Sequence, residues 1–310
     1  MKYINIYNSR SEYKAAEKEH YDMSLIRDED NIVVFFRNYA KEYFTIEITE
    51  AGAFTVVPAI DPKATITSIN ESIALTISYS LNGGEWISTT LLTSGLTLDV
   101  SAGDTIRFKG NNTNYCNNAT GNANGPHKQW YVVFGCTQSN GENYKGSFVS
   151  TTAKFNVYGN IMSLLYGDNF IGQTELPSTY TFCQLFKTSK IVSAEHLILP
   201  PMTLTASCYR AMFSKSYLLT VSPTFPAKNL VTECYKYMFE ECTSLRQITC
   251  LAETNLTYVD VTSDATIYNF TTYTKDPLQT HGVFIKSQNA SWPTGKHGIP
   301  TGWTVQNYIE

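Results

Sequence analysis

The chain has 310 residues, 43% of them hydrophobic and 16% charged, with a formal net charge of −4. That length allows about two domains with sizeable cores, and the charge excludes a nucleic-acid partner, because no Lys/Arg run supplies a basic stripe. No stretch approaches the ~20 apolar residues of a membrane-spanning helix, so no membrane insertion is expected. The 21 Tyr and 16 Phe, with Ser, Thr and Asn supplying much of the polar surface, suit mainly β structure.

Residues 1–42 form a first unit. The start, MKYINIYNSRSEYKAAEKEHYD, turns polar within a few residues and lacks the apolar core of a secretory signal. The expectation is a soluble protein made in a cytoplasm without export. Ser11 to about Glu19 can make two helical turns, with acids early and Ala15 and Ala16 inside. MSLIRDEDNIVVFF then reads as two short strands around an acidic turn at Asp28, Glu29, Asp30 and Asn31. So small an α/β piece is expected to dock on something larger.

Residues 43–158 read as a β-sandwich. In SIALTISYSLNGGEW, Ile73, Leu75, Ile77, Tyr79 and Leu81 share one face. Asn82-Gly83-Gly84 follows as a hairpin signal, since Asn and Gly tolerate positive φ. GLTLDVSAGDTIRFKG predicts a second hairpin, turning at Ala102-Gly103-Asp104. QWYVVFG reads as a strand buried on both sides, and SFVSTTAKFNVYG closes the unit. Between them, residues 110–126 hold seven Asn and almost no apolar residue, which marks a loop. Its amides could bind sugars, through Asn111, Asn112, Tyr115 and Asn118, with Trp86 or Trp130 as stacking platforms. A merely solvated loop is the plainer reading.

From residue 159 a pattern repeats. Phe182-x-x-Leu185-Phe186 aligns with Tyr209-x-x-Met212-Phe213 and with Tyr235-x-x-Met238-Phe239, at spacings of 27 and 26 residues. Six residues after each Phe stands an aliphatic residue, Val192, Leu219 or Leu245. Such a period predicts stacked coils, each unable to bury its apolar side alone. Phe186, Phe213 and Phe239 should form one ladder, and Val192, Leu219 and Leu245 another. Cys208 and Cys234 should fill equivalent inward slots, with Thr181 in the first unit.

The seven cysteines are an odd number and include no C-x-x-C, so neither a closed disulfide framework nor a zinc ribbon is indicated. A Cys/Cys/Thr row fits a small buried slot better than a metal or redox centre. No H-E-x-x-H, G-x-S-x-G, Walker loop or G-x-G-x-x-G occurs. His20, His127, His196, His281 and His297 are scattered. No enzyme activity, cofactor or metal is expected.

The repeats resemble the BspA-type leucine-rich repeats, whose units run roughly CYxxMFxxCTSLxxxPxLP. Cys234–Leu245, CYKYMFEECTSL, matches closely, and Cys208–Pro226 matches with Ser216 at the second Cys. Gly282–Gln306 resembles the end-cap of such arrays. The resemblance implies repeats over 159–275 and a C-terminal cap over 276–310. The order of leader, sandwich and repeats resembles virion fibre proteins of crAss-like tailed phages that infect gut Bacteroidales. That likeness implies a structural protein of the virion, a capsid-anchored head fibre or a tail-associated fibre. Its N-terminal segment would grip capsid or other virion proteins. Its outer parts would meet host-surface or mucus glycans, as a homo-oligomer, dimer or trimer. The alternatives are a bacterial cell-surface adhesin built on the same repeats and a carbohydrate-active enzyme.

Overall fold

The computed structural model describes residues 5–7, 23–27, 33–57, 75–91, 95–111, 148–150, 152–177, 179, 181–200, 203–258, 265–271 and 281–309. The fold is mainly β, as expected. Near the N-terminus β1 (Asn5–Tyr7) runs parallel to β2 (Met23–Arg27), and β2 pairs antiparallel with β3 (Val33–Arg37). The two strands expected from MSLIRDEDNIVVFF are therefore present. The helix expected over 11–19 and the acidic turn at Asp28–Asn31 lie outside the described residues.

The next part is two sheets packed face to face. β4 (Phe44–Glu50), β9 (Thr105–Gly110), β6 (Leu75–Leu81), β7 (Ile87–Leu91) and β11 (Lys154–Asn160) belong to one sheet. β5 (Gly52–Val56), flanked by β8 (Leu96–Val100) and β10 (Phe148–Ser150), makes the other. Strict alternation aims Ile106 and Phe108 of β9 inward and Arg107 and Lys109 outward. Between the layers Phe54 meets Phe155 edge-on at 5.3 Å, and Phe148 meets Phe44 at 4.9 Å and Phe108 at 5.4 Å. Offset and edge-on ring pairs of this kind add to the burial they bring.

The two turns have different fates. Asn82 and Gly83 take φ of 49° and 74°, and the Gly84 N–H closes on the Leu81 carbonyl at 2.9 Å, so β6 and β7 form the expected hairpin. The expected face of β6 fails at its end: Ser80 is buried and Leu81 exposed, because the Ser80 hydroxyl donates to the Gly84 carbonyl and accepts from Arg107. The second hairpin is corrected. β8 pairs with β5, whereas β9 pairs with β4 and β6, so residues 101–104 carry the chain from one sheet to the other. The turn residues are the same in either case; the partners on offer decide. The Asn82 amide donates to Asp104, which ties the two turns together; the Ser101 N–H, and then the Asn82 amide, hold the Asp104 carboxyl below its usual range.

β11 joins the two halves of the chain. It is antiparallel to β4 and parallel to β12 (Ile191–Ile198). The expected boundary at 158/159 thus falls inside this strand. Gly159 sits at φ +82°, and a Cβ there would lie 2.1 Å from the Tyr43 carbonyl oxygen, so only glycine allows the passage. Beyond it, β12, β13 (Val221–Phe225), β14 (Gln247–Cys250), β15 (Val283–Lys286) and β16 (Thr304–Asn307) extend one ten-stranded sheet, all parallel.

Opposite these parallel strands the chain makes tight turns, and the turns stack. Phe182, Leu185, Phe186, Tyr209, Met212, Phe213, Tyr235, Met238 and Phe239 are all buried to 1% exposure or less. Phe186 stacks on Phe213 at 5.4 Å and Phe213 on Phe239 at 5.7 Å, within 11° of parallel. Phe182 stacks on Tyr209 at 6.2 Å, and Tyr209 packs on Tyr235 at 6.3 Å. A second backbone ladder binds the turns. The N–H groups of Tyr209, Ala211, Phe213 and Lys215 donate to the carbonyls of Cys234, Lys236, Met238 and Glu240 in the next coil. Those of Met212, Ser214 and Ser216 donate three residues back within their own coil. These seven N–H groups of one coil therefore all have partners, as interiors require. The ladder needs left-handed backbone at Ala211, Lys215, Tyr237 and Glu241.

One expected ladder is corrected. Strand register aligns Ser193 with Val221 and Val221 with Gln247, so Ile191, not Val192, is equivalent to Leu219 and Leu245. Ile191 is fully buried, while Val192 is half-buried and its carbonyl accepts from Thr220. The first coil is one residue shorter at this point, and a one-residue slip in a strand exchanges its faces.

The second Cys of the motif also has a physical role. Ser216 donates to the Phe186 carbonyl at 2.7 Å and Cys242 to the Phe213 carbonyl at 3.0 Å, so either small donor can link a coil to the one before. A fourth coil, unforeseen, follows at Ile267 and Phe270, with Thr266 continuing the Thr181, Cys208, Cys234 row. Residues 282–307 then close the stack. Trp292 packs on Phe270 and Phe284 and donates to the Ala252 carbonyl.

Candidate functional site

Burial assigns the inward residues to structure. Cys208, Cys234, Cys242 and Cys250 are free and buried, and burial pushes all four thiols up, Cys234 and Cys250 to about 12. They are protonated, poorly nucleophilic fillers. Cys116 and Cys136 lie outside the described residues. Among the described residues no group of three or more His, Cys, Asp or Glu could hold a metal ion, and no helix is long and apolar enough to cross a membrane.

The outer face of the larger sheet carries a different arrangement. Arg107 and Lys109 are two residues apart on β9 and project to the same side. Trp86, just past the hairpin turn, lies over both. The Lys109 Nζ is 4.5 Å and the Arg107 Cζ 5.3 Å from its ring centroid, within cation–π range. Tyr43 meets the same ring edge-on at 4.9 Å and packs against buried Phe170 at 5.1 Å. The Tyr43 hydroxyl donates to Asp168 at 2.6 Å, and Lys109 reaches both Asp168 oxygens at 2.9 Å.

Charge follows from these contacts. The Tyr43 and Lys109 hydrogen bonds hold the Asp168 carboxyl below its usual range. Burial, then the bond to Asp168, pushes the Tyr43 phenol up to about 12. Lys109 is answered by Asp168. Arg107 is not: its Nη2 donates to the Ser80 hydroxyl at 2.9 Å, its buried Nε has no hydrogen-bond partner, and it forms no ion pair among the described residues.

Of the proposed glycan contacts, Asn111 is exposed one residue past β9, at the next outward position after Lys109. Asn112, Tyr115, Asn118 and Trp130 lie outside the described residues. Sequence reading had named Trp86 but missed Tyr43, Arg107, Lys109 and Asp168. The alternation of TIRFKG does put both cations outward. Nothing local points to Asp168, which the fold brings in from 59 positions beyond Lys109.

A second charged cluster, largely buried, lies on the turn side of the coils. Glu233 accepts from Arg210 at 2.6 Å and from Lys236 at 2.7 Å, and both cations lie over the Tyr237 ring. Lys236 also lies over Tyr268, which packs against His297; His297 in turn stacks on Tyr258. The His297 Nδ1 accepts from the Asn269 N–H at 2.9 Å, so this imidazole caps a backbone donor of the last coil. No family model, curated protein or solved structure matches the chain.

Proposed function

We propose that the chain is a structural fibre protein of a phage particle, a capsid-anchored head fibre or a tail-associated fibre. On this reading its coils are leucine-rich repeats of the BspA type, and its outer faces meet host-surface or mucus glycans. The observation that carries the reading is the pairing of a one-dimensional stack of coils with an aromatic–cationic cluster on the sheet that continues into it. Stacked coils that touch only their neighbours extend by addition and present long surfaces, the usual form of a display or binding scaffold. Residues 1–42 are assigned to attachment on capsid or another virion protein. A dimer or trimer would multiply weak glycan contacts into useful avidity.

The test is immunogold electron microscopy with antibody to this chain, on purified particles and on host cells. Gold on the particles is expected, and its position separates head from tail. Gold confined to uninfected cells would overturn the reading in favour of a cell-surface adhesin.

A further inference from the structure

We infer that the Trp86 cluster binds a carboxylated sugar, the uronic or sialic acid residue of an acidic polysaccharide. This rests on the glycan-contact part of the fibre reading and names the ligand class of that contact.

The ring comes first. Arg107 and Lys109 stand on one side of one strand, so both hold Trp86 from the sheet side. Tyr43 braces its edge. The ring is half-buried, as a ring with one covered face should be. Among the described residues no further ring or cation contact covers the other face, which is flat, apolar and already oriented, so binding to it costs little side-chain ordering. A pyranose presents a matching patch of C–H groups on one face of its ring.

The charge comes second. Lys109 spends its charge on Asp168, with both carboxylate oxygens engaged. Arg107 keeps a surplus charge and an unpartnered, buried Nε. Its Nη2 lies beside the hairpin turn, 3.9 Å from where a Cβ on Gly83 would stand, and that Cβ would meet nothing else within 4 Å. A guanidinium presents a planar fork that fits a carboxylate through two parallel hydrogen bonds. A neutral sugar stacked on Trp86 would leave this fork unanswered. A sugar acid stacked there can extend its carboxylate past the ring edge, on the side of the Gly83 turn, where the Arg107 Nη2 lies. Asp168, whose side chain is 63% exposed, is tied to Tyr43 and Lys109 beside the ring and suits sugar hydroxyls.

The experiment uses the full chain and isothermal titration calorimetry. The probes are trigalacturonate and sialyllactose, with maltotriose and lactose as neutral counterparts and dextran sulfate as a control for bare charge. At least one acid probe should saturate below about 10 mM, a weak single-site affinity. Its neutral counterpart should bind about tenfold more weakly or not at all, the loss of one charge-assisted pair. Arg107→Gln and Trp86→Ala should each remove most of the binding, with thermal unfolding checked for each. No saturation by either acid, equal binding of acid and neutral sugars, or unchanged affinity in Arg107→Gln would overturn the inference. So would dextran sulfate binding that survives Trp86→Ala as well as the acid-sugar binding does. If a variant fails to fold, the acid-to-neutral ratio in the unmodified chain decides. A failure here leaves the fibre reading intact if gold still marks the particles. Unlabelled particles overturn the fibre reading whatever the sugars show.

Discussion

The two-layer region and the stacked coils solve the same problem, burying an apolar face, by opposite routes. In the two-layer region partners are remote: β4 pairs with β9 and with β11, from about sixty and about a hundred residues away. In the coils each residue meets its counterpart one repeat along, as Phe186 meets Phe213 and Phe213 meets Phe239. Stability in such a stack is close to a sum of neighbour terms. In the two-layer region no strand has its place until distant ones have theirs. The difference teaches that a repeat can be read from a few residues, whereas a sheet order cannot.

The two regions are not separate cores, and Phe186 is where they meet. It packs on Phe44 at 6.0 Å, Phe148 at 5.8 Å and Phe213 at 5.4 Å. Phe186→Ala should cost about 3–5 kcal/mol, as for buried aromatics generally. It should also split urea unfolding into two phases when followed by probes placed in each region. A single unsplit transition would show that β11 alone couples them. Phe213→Ala touches only the coils. It should cost a similar amount, about 3–5 kcal/mol, while leaving the two-layer transition in place. A loss below about 1 kcal/mol would mean that the ladder does not stabilise the stack.

Smaller effects sharpen the contrast. Glu233 joins Arg210 and Lys236 at side-chain exposures of 11%, 19% and 8%. Glu233→Gln leaves both cations under-compensated and should cost about 2 kcal/mol in chemical denaturation, below the figure for a fully buried pair because Arg210 can turn to water. The Tyr235 hydroxyl is buried without a partner among the described residues, and Phe182 fills the equivalent place in the first coil with no hydroxyl. Tyr235→Phe should therefore raise stability by about 1 kcal/mol, the reverse of the usual core substitution. A loss would reveal a partner for that hydroxyl.

The smallest effect is one of pH. Burial, then the nearby Lys296 charge, lowers the pKa of His297 from its usual 6.5. The folded state therefore binds fewer protons than the unfolded chain, and stability rises with pH in this window. The contribution is complete above about pH 6.5–7 and is lost as pH falls through the folded value. A protonated imidazole can no longer accept from the Asn269 N–H. Thermal unfolding followed from pH 7.5 to 5 should show a decline that His297→Gln flattens. The same decline in both proteins would show that the His297–Asn269 hydrogen bond does not set the pH dependence.

The sequence by itself determined what depends on near neighbours. The recurring aromatic-x-x-aliphatic-Phe spacing was enough to place the aromatics of the first three coils inside, and Asn82-Gly83 was enough for a hairpin, because those two residues tolerate positive φ. Alternation in TIRFKG set Arg107 and Lys109 apart from Ile106 and Phe108. Tertiary structure decided the rest. The turn at 101–104 crosses between sheets because β5 claims β8 while β4 and β6 claim β9, and no residue in the turn encodes that. Ile191 replaces Val192 because register is set across strands, not along them. The fourth coil keeps the backbone ladder but puts Ile267, Phe270 and Thr271 where the motif has Tyr, Met and Phe, so only its packing reveals it. The Trp86 platform needs Tyr43, Lys109 and Asp168 at one point, and the chain brings them there from three elements that share no local signal.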